Sequence, residues 1–267
     1  MGERQMYSDI IIAGSCAAES REQVLEVGTE LQKLGVEIVR ASLWKPRTRP
    51  GWDGVHEEGI PWLAELTKMG LIAATEVLLP EHVSQVINGI EQYDGDPRKL
   101  LLWLGSRNQN HFIQKEIGKR LSDSPPEIRL LMKNQTAYSE DHWKGIIEHV
   151  ESGGLPRERM ILCNRGVAIP PDPANPYRNK PFHEVGMRVS RWAGIPMVLD
   201  LSHIAGSVPM VFKTFEEGLL YPYAGIMVEV HPDAKNARTD PKQQLSLEEF
   251  ASIMQVLGGD KKNIRTV

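Results

Sequence analysis

The feature that most constrains this chain is the eightfold recurrence of a short apolar run followed by a stretch of helical length. The runs lie near 9–14 (DIIIAG), 36–43 (VEIVRASL), 71–77 (LIAATEV), 100–105 (LLLWLG), 127–133 (EIRLLMK), 160–164 (MILCN), 195–201 (IPMVLDL) and 224–230 (AGIMVEV). Each is nearly all apolar rather than alternating, as expected of parallel strands covered on both faces. Between them lie amphipathic segments such as SREQVLEVGTELQKLG, which opens on Ser20, a good helix N-cap. Eight strand–helix units in 267 residues predict a closed (β/α)8 barrel, an α/β fold that uses about 250 residues as one domain. The barrel is expected to span about residues 9–257 of a single domain over 1–267, with no room for a fused regulatory domain. The alternative is an open doubly wound sheet. That fold places a Gly-rich phosphate loop after its first strand, and here the position reads GSCAAES.

Composition narrows the function classes. The formal charge is −4, so nothing global favours nucleic acid or a membrane surface, and any basic site must be local. Two cysteines, Cys16 and Cys163, are too few for a disulfide framework and fit a reducing compartment. The amino-terminal residues carry no apolar signal core, and no apolar run reaches membrane-spanning length. The expected location is cytoplasmic.

Catalytic residues of a barrel come from the carboxyl ends of its strands. Read in order, those ends supply two groups. One is cationic: Arg40, Lys45, Arg47, Arg107, Lys133 and Arg165. Clustered like charges repel and lose solvation, so this much positive charge at one mouth points to a polyanion, such as two phosphates or a phosphate with a carboxylate. Arg suits both because its planar fork donates parallel hydrogen bonds. The other group is Cys16, His203, Glu229 and Asp240, from the first, seventh and eighth units, which become neighbours when a barrel closes. A thiolate, an imidazole and two carboxylates suit a first-row divalent metal better than calcium. A single Cys at a strand end is more often a small core residue, and a single Glu could be an ion-pair partner; only the conjunction carries the reading. Cys163 is expected in the core, and His56, His82, His111, His142, His149 and His183 on the surface or in structural roles.

These segments resemble a known family. IAGSCAAES, VRASLWKPRTRPGWDGV, TEV, LGSRNQN, LLMKN, ILCNRG, LDLSHIAGS and MVEVHPDAKNARTDPKQQLS occur in the order found in the 3-deoxy-7-phosphoheptulonate (DAHP) synthases. The likeness is to the short class, and the LWKPRT and YRNKP segments favour catalytic domains sometimes fused to a chorismate mutase. The resemblance implies condensation of phosphoenolpyruvate with erythrose 4-phosphate and water, the first step of the shikimate pathway. It implies a divalent metal (manganese first, then iron, cobalt or zinc) on Cys16, His203, Glu229 and Asp240. It implies phosphoenolpyruvate contacts from Arg40, Lys45, Arg107, Lys133 and Arg165, a backbone N–H from Ser106, and aldose-phosphate contacts from Arg47 and Thr48. Glu76 would stand near the entering water, and Lys133 is the candidate general acid. A homo-oligomer (dimer or tetramer) and a separate chorismate mutase partner are further implications. Departures from the family pattern are Ser15, Ala41-Ser42, Asn134, Leu201 and Ser207. Two rivals are kept: the sister reaction with arabinose 5-phosphate, against which Lys45-Pro46-Arg47-Thr48 argues, and a non-catalytic metabolite-binding barrel.

Overall fold

Alternation along each strand sorts its side chains into two layers. Leu101 and Trp103 point into the barrel with Ile12, Ala74, Leu131, Ile161, Cys163, Val198 and Met227. Leu100, Leu102 and Leu104 point outward into the larger apolar layer beneath the helices. The period of two along a strand forces this division, and the inner layer fills the barrel as a packed core.

The computed structural model describes residues 10–47, 49–170 and 175–263. The strands are β1 (Ile10–Gly14), β2 (Ile38–Arg40), β3 (Ile72–Glu76), β4 (Leu100–Leu104), β5 (Arg129–Lys133), β6 (Met160–Asn164), β7 (Val167–Ala168), β8 (Asn179–Lys180), β9 (Met197–Asp200) and β10 (Gly225–Glu229). Eight of them close a parallel barrel in the order β1-β10-β9-β6-β5-β4-β3-β2, and these are the eight expected runs. The last strand pairs with the first in a register that sets Gly14 opposite Glu229. Closure leaves no free sheet edge. The helices are α1 (Arg21–Lys33), α2 (Ile60–Lys68), α3 (Pro80–Gln92), α4 (His111–Ser122), α5 (Glu140–Ser152), α6 (His183–Ala193), α7 (Leu201–Ala205), α8 (Val208–Gly218) and α9 (Leu247–Asn263). Ser20 caps α1 as expected, accepting from the Gln23 N–H at 3.2 Å. Among the described residues no helix is long and apolar enough to cross a membrane.

Two features were not expected. The run 36–43 yields only three strand residues, because Ala41–Leu43 peel away into a mouth loop pinned by the bridge Trp44–Gly54. In addition, β7 and β8 form a separate antiparallel pair between β6 and α6, standing at the carboxyl end of the barrel. Thr48 lies outside the described residues.

Candidate active site

The barrel register brings Cys16, just beyond β1, beside Glu229 at the end of β10. Asp240 follows on the next loop, where it holds a left-handed backbone conformation (φ 45°). One potential ligand atom from each of Cys16, Glu229 and Asp240 lies within 4.8 Å of the others. Cys16 Sγ is 3.6 Å from Asp240 Oδ2. His203 stands at the edge of this group, with Nε2 3.8 Å from Glu229 Oε1. It sits in the first turn of α7, and Asp200 caps that turn by accepting from the His203 N–H at 3.1 Å. Asp200 also lies 3.0 Å from His203 Nδ1. A carboxylate only accepts, so Nδ1 carries the proton and the Nε2 lone pair is left for a ligand. Burial depresses the His203 pKa, which keeps the ring neutral.

The protons of this group follow from its surroundings. Burial, reinforced by Glu229, pushes the Cys16 thiol up to about 12, although Lys45 Nζ donates to Sγ at 3.2 Å. Burial also works against the Glu229 charge, but His203, Arg40 and Lys45 outweigh it and hold the carboxyl at about 2. Arg40 Nη2 donates to Glu229 Oε1 at 3.2 Å and to the Cys16 carbonyl at 3.3 Å. The thiol and two carboxylates converge with the unprotonated imidazole Nε2 at their edge, and this donor set fits a first-row divalent cation.

Beside this group opens a cavity of about 370 Å³. Its lining contains eight cationic side chains, Arg40, Lys45, Arg47, Arg49, Arg107, Lys133, Arg165 and Arg178, against two carboxylates, Glu76 and Asp240. Every cation expected at the mouth is here, together with Ser106. The Trp103 indole forms part of the floor, with the Arg40 guanidinium 5.2 Å and Lys133 Nζ 5.7 Å from its centroid. Two guanidiniums at the cavity carry unpartnered N–H groups. Arg40 Nη1 and Arg165 Nε and Nη1 are buried without a partner among the described residues. Burial pushes the Arg165 pKa down, and Asp200 offsets that only in part. The Arg165 backbone N–H is fixed by Asn134 Oδ1 at 2.8 Å, which gives the Asn134 departure a local role. Lys133 Nζ is ion-paired with Asp200 at 2.7 Å. Glu76 lies against Gly105, where a Cβ would stand 1.8 Å from Glu76 Oε1.

Two of the histidines expected on the surface or in structural roles pack against aromatic side chains. His82 stacks on Trp44 at 3.8 Å, and His183 Nδ1 lies 2.8 Å from the Tyr223 hydroxyl. Cys163 is in the barrel interior. Sequence reasoning missed Arg178 and Gln243. Arg178 was quoted only within YRNKP, and its segment carries neither strand nor helix periodicity. Gln243 stands three residues after Asp240, a signal that could have found it, whereas Arg178 carried none.

A model of the DAHP synthetase I family matches residues 7–266. A phospho-2-dehydro-3-deoxyheptonate aldolase of Thermotoga maritima is 28% identical over 247 residues, covering 92% of this chain and 68% of that protein. A 2-dehydro-3-deoxyphosphooctonate aldolase of Paracidovorax citrulli is 22% identical over 271 residues, covering 92% of this chain and 88% of its own. The crystal structure of the Thermotoga maritima DAHP synthase superposes with a TM-score of 0.82 at 26% identity, covering 97% of this chain and 71% of that one. A truncated form of that organism's 3-deoxy-D-arabino-heptulosonate 7-phosphate synthase gives 0.79 at 25% identity, covering 97% and 88%. The match runs through all eight barrel strands and the loops of the mouth, and the chain belongs to the DAHP synthetase I family.

Proposed function

We propose that this chain condenses phosphoenolpyruvate with erythrose 4-phosphate and water, forming 3-deoxy-D-arabino-heptulosonate 7-phosphate and phosphate. The observation that carries the reading is the meeting, at one barrel mouth, of the Cys16–Glu229–Asp240 group with eight cations. Two phosphorylated reactants match that charge, and the family match and the 28% identical relative support the reaction.

The unpartnered N–H groups of Arg40 and Arg165 donate to the phosphate and carboxylate of phosphoenolpyruvate, with Lys45, Arg107 and the Ser106 N–H alongside. Arg47 and Thr48 take the aldose phosphate. This positioning sets C3 of the enol against the aldehyde carbon, the larger part of catalysis when both reactants are anions. A divalent cation on Cys16, His203, Glu229 and Asp240, with manganese as first choice, would supply Lewis-acid polarisation of the aldehyde oxygen. Lys133 Nζ delivers a proton to that oxygen as the C–C bond forms, with Asp200 holding the ammonium in place. Positive charge at C2 is met by water oriented by Glu76, and the adduct expels phosphate by C–O cleavage. A cytoplasmic location, a dimer or tetramer and a separate chorismate mutase partner belong to the same proposal, supported by the family resemblance alone.

The test is phosphate release from phosphoenolpyruvate with added manganese, comparing erythrose 4-phosphate with arabinose 5-phosphate, with and without chelator. Chelator-sensitive turnover with erythrose 4-phosphate is expected. Turnover only with arabinose 5-phosphate overturns the substrate, and full activity of Cys16→Ala after metal stripping and readdition overturns the ligand set.

A further inference from the structure

The two carboxylates of the candidate metal group each face the group with one oxygen and are held through the other. Asp240 Oδ2 faces Cys16 Sγ, while Oδ1 accepts from Arg178 Nη1 at 3.1 Å. Glu229 Oε1 faces His203 and Arg40, while Oε2 accepts from Gln243 Nε2 at 2.6 Å. The two outer contacts join, because Arg178 Nη1 also donates to Gln243 Oε1 at 2.6 Å. Gln243 therefore bridges a guanidinium, which only donates, and a carboxylate, which only accepts. That fixes its amide with oxygen toward Arg178 and nitrogen toward Glu229. A side chain in this place needs one acceptor end and one donor end, which a carboxylate, an ammonium or an alkyl chain lacks.

The backbone supports the arrangement. The Gln243 N–H donates to the Asp240 carbonyl, so both residues ride on one tight turn. The stem of Arg178 packs on Gly206, where a Cβ would stand 2.7 Å from Arg178 Cβ. Next to it, Asn179 Nδ2 donates to the His203 carbonyl at 2.5 Å. The β8 segment thus touches the supports of Asp240, Glu229 and His203 together.

We infer that Gln243 is a positioning residue for the metal group, that Arg178 acts through it by fixing the amide orientation, and that the pair holds Glu229 and Asp240 in their binding orientation. This rests on the reading of Cys16, His203, Glu229 and Asp240 as a metal site. Partners of this kind hold ligand orientation and tune metal affinity.

The experiment is titration of the metal-free full chain with cobalt(II), following the thiolate-to-cobalt charge-transfer absorption and the apparent Kd. Gln243→Met keeps charge and length but cannot donate, and a roughly 10- to 100-fold weaker Kd is expected. The metal-free unfolding midpoint, measured in parallel, separates this from misfolding. Arg178 is 41% exposed at its side chain, so Arg178→Met serves as the second variant. Removing Arg178 also removes a positive charge that repels the metal. Its effect on Kd is therefore expected to be less favourable with Gln243 present than in the Gln243→Met background. Equal effects in both backgrounds take Arg178 out of the relay, and wild-type affinity in Gln243→Met overturns the inference. No thiolate band in the wild-type chain, or an unchanged band in Cys16→Ala, instead overturns the underlying metal reading.

Discussion

Asp200 sits 3.0 Å from His203 Nδ1 and 2.7 Å from Lys133 Nζ, so a single buried carboxylate sets the imidazole tautomer and neutralises the ammonium. Burial opposes its charge, but His203 and Lys133 outweigh that and hold its pKa well below the ordinary carboxylate range. Asp200→Asn leaves Lys133 buried without a counter-charge. Breaking one side of such a pair costs roughly 3–5 kcal/mol. The expected result is a lower denaturation midpoint together with weakened metal affinity. A midpoint equal to wild type in urea unfolding would remove the ion-pair role, and unchanged metal affinity would remove the role at His203.

Metal binding is expected to release a proton from Cys16. The thiol is held up to about 12 by burial first and Glu229 second, so it is protonated throughout the neutral range. The His203 pKa is depressed and the ring neutral, so it adds no proton above its ordinary value. A cation competing with one proton binds about tenfold more tightly per pH unit. Isothermal titration with manganese between pH 6.5 and 8.5, in two buffers of different ionisation enthalpy, measures this directly. A flat affinity would mean that Cys16 stays protonated in the loaded site.

Arg165 offers a trade between stability and binding. Its Nε and Nη1 are buried without partners among the described residues, a cost of the substrate-free state. Arg165→Met is expected to raise the unfolding stability of the ligand-free chain by about 1–2 kcal/mol. The same change should abolish most of the rise in Tm that phosphoenolpyruvate gives the wild type. Thermal unfolding at a series of phosphoenolpyruvate concentrations checks both halves. A destabilised variant that still responds fully to ligand would count against the assignment.

Gly105 is a spacing device. A methyl group there would lie 1.8 Å from Glu76 Oε1, so Gly105→Ala has to displace that carboxylate. The clash is with the end of a flexible side chain, so the variant is expected to fold with Glu76 moved aside. If Glu76 orients the entering water, kcat falls while the KM for phosphoenolpyruvate changes little. Steady-state kinetics with both substrates varied separates the outcomes, and a pure KM effect would place Glu76 at the substrate rather than at the water.

The barrel was legible because it is written as a repeating pattern of apolar runs, and its closure follows from eight of them. Arg40, Lys133, Arg165 and Glu76 were legible because each ends a strand or directly follows one, and the position of a strand end is set by the ladder, whereas Lys45, Arg47 and Arg107 lie on the mouth loops that follow β2 and β4. The grouping of Cys16 with Glu229 needed only the knowledge that first and last strands meet. What was not legible depends on side-chain trajectories through irregular segments. Arg178 immediately precedes a two-residue strand with no periodic signature, and its stem packs against Gly206. Arg40 was read as a mouth cation, yet it is also the buried ion-pair partner of Glu229, a second role that strand-end position does not encode. His203 was placed at a strand end but stands on the first turn of α7, displaced there by the Asp200 cap.

The register that sets Gly14 opposite Glu229 has a consequence for biogenesis. Cys16 is supplied beside the first strand to be synthesised, Glu229 and Asp240 by the last strand and the loop after it. Half of the proposed ligand set, Glu229 and Asp240, is therefore missing until β10 inserts and the ring shuts. A nascent or truncated chain ending before β10 has no such pocket for the ion. An ion held as proposed would bridge the two sides of this seam and act as a clasp, slowing reopening of the ring between β1 and β10.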